Sequence, residues 1–309
     1  MITTKTVAIR VDDRARLLSV ALAATTYPDQ SQARKKHGTH LHARSTRKVA
    51  LTQSAHPAVV VLQKLLDLGI PLASLYSYVM RLSWPDLTPI EDTPRWVPQG
   101  WHEQLHDFGK QLDLAAWWAA EGEHWLTPVS HLEVAFSKVD LYGFFEPFVG
   151  AITEQLVFMP TVSYPTDETI GCRVRGDLVA IMPPPLAWGD SAPWPYKDDT
   201  ALAYRAALAE FGTMLMNAYL SDHAEAVQAA AEKSLPIDDA FKARHPAWQD
   251  QFLGMFKASL TAIFLETYMG ALEARSYVQH MSRAEHLNAL PGAINVFKRY
   301  LDEYKTGLY

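Results

Sequence analysis

The chain has 309 residues, 49% of them hydrophobic and 20% charged, a balance that fits a folded globular protein and excludes a disordered or fibrous one. The net charge of −6 is unevenly spread: residues 1–50 hold ten Lys/Arg against three Asp/Glu and carry +7, while the remainder carries −13. Cys172 is the only cysteine, which excludes an intrachain disulfide and argues against a thiolate zinc site.

No apolar run reaches the about 18 residues that a membrane span needs. The stretch "RARLLSVALAATTYP", 14–28, has the short apolar core and small-residue end of a signal peptide. Asp12 and Asp13, however, stand where a basic n-region belongs. It reads instead as a helix over 12–24, capped by Asp12 or Asp13, and the expectation is a cytoplasmic chain without a targeting segment. Residues 33–53 read as a loop followed by a helix. "HPAVVVLQKLLDLGI", 56–70, predicts a helix with Pro57 in its first turn and Gly69 at its end. Pro71 opens another helix that runs to about Leu82, and "SWPDLTP" breaks it.

The Pro- and Trp-rich "DTPRWVPQGW", 92–101, reads as a linker. It suggests a boundary between an N-terminal, helical, basic region (1–95) and an α+β domain (96–309). Residues 100–121 and 128–150 read as helices. Three short β-rich runs follow at 154–165, 169–176 and 177–185, which predict a small antiparallel meander. Cys172 falls in the second run and reads as a small buried apolar side chain. After a Pro-rich loop, helical periodicity returns near Thr200 and holds to Tyr304. The fold expected is α+β and predominantly helical.

Within the last helical part lies "AEFGTMLMN", 209–217. With His at its first and fifth positions it would be HEFGHxxxN. In HExxH, helix periodicity puts two imidazoles on one face for one Zn²⁺, and the Glu between them acts as general base on the metal-bound water. Here those ligand positions hold Ala209 and Thr213, and Glu210 keeps the base position. A later helix carries "FLETYMGALEARSYVQH", 264–280. With its order of short sheet, loop and motif helix, the chain over about 130–280 resembles a gluzincin-type (zincin-like) zinc metallopeptidase family. It would be a degenerate bacterial member with both histidines replaced. The resemblance implies that the small sheet precedes the degenerate active-site helix. It also implies that Glu266 occupies the third-ligand position, with Gly270 where an Arg would stand, and that Asn217 helps to fix the motif helix. Ala209 has no donor atom and Thr213 is a poor zinc ligand. The expectation is a pseudopeptidase with no cofactor, whose cleft binds a peptide or a protein without hydrolysing it.

"WHEQLH", 101–106, is the rival. His102, Glu103 and His106 satisfy HExxH literally and would make the chain a zinc hydrolase, with zinc on His102 and His106. "KHGTHLHAR" groups His37, His40 and His42, as a sparse metal or binding site or as a basic, partly exposed surface. With Lys35, Lys36 and Arg47 nearby, an anionic partner is a third possibility. The acidic total and the lack of a binding motif argue against nucleic acid. "AAWWAAEGEHW", 115–125, reads as core or as a ligand groove.

Overall fold

The computed structural model describes residues 5–34, 39–185 and 195–308. His37, Lys35 and Lys36 therefore lie outside the described residues, as does most of the Pro-rich loop. In chain order the elements are β1 (Ala8–Ile9), α1 (Asp13–Ala24), α2 (Tyr27–Arg34), α3 (Leu41–Ala50), α4 (Pro57–Asp67), α5 (Leu72–Met80), α6 (Trp101–Gln111), α7 (Leu114–Ala120), α8 (Gly122–Phe136), α9 (Leu141–Val149), β2 (Gln155–Pro160), β3 (Ile170–Val174), β4 (Asp177–Met182), α10 (Thr200–Asp222), α11 (Ala224–Ala231), α12 (Asp239–Arg244), α13 (Trp248–Tyr268), α14 (Ala271–Glu285) and α15 (Leu290–Lys305). The protein is α+β and mostly helical, and no described helix is long and apolar enough to cross a membrane.

The chain divides into two compact units. The first, the sheet unit, comprises residues 7–138 and 154–203. Its sheet has the order β1-β2-β4-β3. Only β3 and β4 are antiparallel; β2 runs parallel to β4, and β1 parallel to β2. The antiparallel meander expected from the sequence is thus corrected to a mixed sheet, and burial gives the reason. β2 and β4 are buried along all but their first residue, whereas β3 alternates buried and half-buried as an edge strand does. Strands covered on both faces read as continuous apolar runs and can pair in parallel at the centre. Val157, Met159, Val179 and Ile181 share one core with α1 and α5, while the ring of Phe158, on the opposite face, packs tilted against Phe136 of α8 at 4.9 Å. Cys172 is buried in β3.

The central element of this unit is α1, buried from Leu17 to Ala24 and surrounded by α3, α4, α5 and α6. Asp12 caps it by accepting the Arg14 amide at 2.9 Å. Histidines cap the next two long helices: Nδ1 of His40 accepts from the Ala43 amide and Nδ1 of His56 from the Ala58 amide, each at 3.2 Å. The boundary expected near residue 95 lies inside this unit. Tyr78 of α5 and Trp101 of α6, on either side of it, stack at 5.5 Å, and Trp101 Nε1 donates to Ala58 O of α4 at 3.2 Å. Trp96, Val97 and Trp101 of this stretch pack into the same core as α1 and α5.

The second, helical unit comprises residues 1–6, 139–153 and 204–309. α13 packs against α14 and α15. Aromatic rings carry the core: Phe144 of α9 meets Phe264 of α13 at 5.0 Å, and Phe148 meets Phe256 at 5.8 Å and Phe297 at 6.0 Å. A smaller cluster joins Ile237, Phe241, Met255, Ala258, Leu287 and Leu290.

Candidate functional site

α10 carries the motif. Phe211 is fully buried, and the ideal Cβ of a residue replacing Gly212 would sit 3.4 Å from Cε1 of Phe145. Phe211-Gly212 therefore serves packing. Ala209, Glu210, Thr213 and Asn217 are half-buried. The Thr213 hydroxyl donates to Ala209 O at 2.6 Å, a bond that keeps it within its own helix. Asn217 accepts at Oδ1 from Gln249 Nε2 at 3.1 Å, which ties α10 to α13. One turn before Ala209, Arg205 forms an ion pair with Glu273 of α14, and its guanidinium lies 5.4 Å from the Tyr277 ring. The residues at the zinc-ligand positions do not fit a metal: one has no donor and the other spends its hydroxyl on the backbone.

Glu266 is engaged elsewhere. It pairs with Lys298 of α15 and lines an open cleft of about 500 Å³ with residues of α13, α14 and α15, such as Arg275 and Gln279. On α13, Phe264 packs 5.4 Å from Tyr204 of α10. Two residues along a helix turn about 200°, so Glu266 leaves α13 on the side opposite Phe264. The carboxylate that α10 does meet is Glu273, which sequence reasoning passed over. Its signal was faint: "LEAR" places Glu273 two residues before Arg275 on an exposed helix.

On α6, His102 and His106 stand one turn apart. Nε2 of His102 lies 3.8 Å from Oε1 of the exposed Glu103. His106 borders a cavity of about 250 Å³ together with Trp84, Lys110 and Trp118. Asp107, on the same helix, accepts from His56 Nε2 at 3.1 Å and from Gln111 at 2.8 Å. Because Nδ1 of His56 accepts from an amide, Nε2 carries the proton.

His40 and His42 are not a surface patch. His40 is fully buried and His42 is 9% exposed. Burial pushes both down to about 4; Arg44 adds to this at His40, and His124, His40 and Arg16 add to it at His42. The expectation of an exposed basic surface fails because α3 turns these rings inward, and Arg47 is paired with Asp29 at 2.6 Å. His42 opens instead on a cavity of about 250 Å³. Its wall is one stripe of α8, His124, Thr127, Pro128 and His131, at helical spacing of three, four and seven. Beside it the Arg16 guanidinium is sandwiched between Trp118 at 4.3 Å and Trp125 at 4.4 Å, and burial lowers its pKa. The Trp-rich segment thus forms a cation clamp as well as core.

As the side chains stand, no three His, Cys, Asp or Glu among the described residues surround one metal position. No family model, curated protein or solved structure matches the chain.

Proposed function

We propose that the protein is a zincin-like pseudopeptidase, a binding or scaffold protein whose motif helix has left zinc chemistry. The observation that carries the reading is the α10 face itself. Arg205, Ala209 and Thr213 recur every four residues along it, and its one cation is neutralised by Glu273. Zinc lowers the pKa of its bound water to about 7, far below that of free water. Without that gain Glu210 has no activated nucleophile to serve. What remains is a helix face with a fixed Arg–Glu pair and a half-buried carboxylate, suited to holding an extended peptide by hydrogen bonds.

The test has two arms. The purified chain is incubated with quenched fluorescent peptides and Zn²⁺, and hydrolysis at the buffer rate is expected. Chelator-sensitive hydrolysis lost in Glu210→Gln would overturn the reading. Loss in His102→Ala instead would place a hydrolase on α6, the rival site. In the second arm, casein-derived peptides are expected to slow hydrogen exchange on α10 and α14. No protection on either helix would remove the binding role.

A further inference from the structure

We propose that His42, His124 and Glu121 bind a divalent first-row transition-metal ion, with zinc as the working probe, where α3 meets the start of α8, beside the cavity that His42 and His124 line. The site lies outside α10 and α6, and the inference does not rest on the reading of α10.

Nε2 of His42 is buried and has no hydrogen-bond partner. Oε2 of Glu121 faces it at 3.7 Å, too far for a hydrogen bond. Two donors on a tetrahedral zinc with bonds of 2.0–2.1 Å stand about 3.4 Å apart. The His42 and His124 rings have centroids 5.4 Å apart. Two imidazoles sharing one zinc have centroids about 5 Å apart by the same arithmetic. His124 and Glu121 are three residues apart at the start of α8, so one helical turn can present both. The set is two imidazoles and a carboxylate, which suits zinc, nickel or copper better than magnesium or calcium.

One movement completes it. His42 is held by burial, while His124 is exposed and can swing its ring toward Nε2 and Oε2. His131, two turns along the same stripe with Nδ1 unpartnered, lines the far wall of the cavity.

The experiment is a calorimetric titration of metal-stripped full-length chain with Zn²⁺, repeated with Co²⁺ for its absorption bands. One site is expected, weakened at least about tenfold by His124→Ala and by Glu121→Gln. His124 is exposed, so its variant keeps the fold; His42→Ala is read only if its circular dichroism matches the parent. His102→Ala/His106→Ala is expected to bind as the parent does. No zinc uptake, or an affinity indifferent to His124→Ala and Glu121→Gln, would overturn the proposal. So would uptake lost only in His102→Ala/His106→Ala, or inorganic phosphate binding the same site in zinc's place.

Discussion

Two glycines in long helices make opposite predictions on substitution by alanine. In α13, a Cβ at Gly254 would lie 2.6 Å from Cζ of Phe241 and 3.4 Å from its Cε1. Carbon atoms prefer about 3.5–4.0 Å, so the ring would have to retreat by about 1 Å. Phe241 is 2% exposed and enclosed by Ile237, Met255, Ala258, Leu287 and Leu290, which leaves it little room. Overpacking of this kind costs about 1–3 kcal/mol. Replacing a helical glycine by alanine returns about 1 kcal/mol of propensity. The steric term outweighs the gain over most of that range, and Gly254→Ala is expected to destabilise by up to about 2 kcal/mol. In α10, the Cβ at Gly212 would meet Phe145 Cε1 at 3.4 Å, an ordinary contact, so the propensity term wins. Gly212→Ala is expected to stabilise by about 0.5–1 kcal/mol. Urea unfolding followed by circular dichroism reads both. Phe241→Leu added to Gly254→Ala should recover part of the loss, since the two side chains compete for one volume. A Gly254→Ala protein as stable as the parent, or more stable than Gly212→Ala, would refute the reasoning.

Other substitutions probe the sites. Arg16→Met keeps the apolar stem but loses stacking on Trp118 and Trp125, and a loss of about 1–3 kcal/mol is expected in urea unfolding. Arg16→Lys should recover little of it, because an ammonium does not stack as a planar guanidinium does. Thr213→Val should change stability by no more than about 0.5 kcal/mol, since the hydroxyl bonds only to its own helix; a larger loss by the same assay would mean that the hydroxyl has another task. His56→Ala removes both the cap of α4 and the bond to Asp107, and should cost about 1–2 kcal/mol. His56→Asn, which restores a capping oxygen, should recover roughly half.

The elements that sequence reasoning placed well are those with local punctuation. Asp12 before α1, and Pro57 and Gly69 around α4, are signals readable within a few residues, and the helices start and stop beside them. β1 could not be read: two residues, Ala8 and Ile9, form a strand only because β2 lies beside them. The parallel pairing of β2 with β4 was visible as two unbroken apolar runs, but hairpin spacing suggested a meander and outweighed it. The histidines of α3 misled for a related reason. Titratable residues next to arginines look solvated, and nothing within "THLHAR" shows that α8 supplies a wall over them.

The candidate sites differ in the same way. A motif on one helix survives translation from sequence to structure, because i and i+4 share a face wherever the helix lies. Ala209 and Thr213 do so, and so do His102 and His106. A site assembled from several helices depends on rotation about each axis, which periodicity leaves open. Glu266 and Glu273 both sit on helices at suitable distances along the chain, yet one meets Lys298 and the other Arg205. His42 and Glu121 are 79 positions apart in number and 3.7 Å apart in space. Packing of α3 on α8 brings them together, and the stretch "KHGTHLHAR", which offers His42, gives no sign of Glu121 as its neighbour.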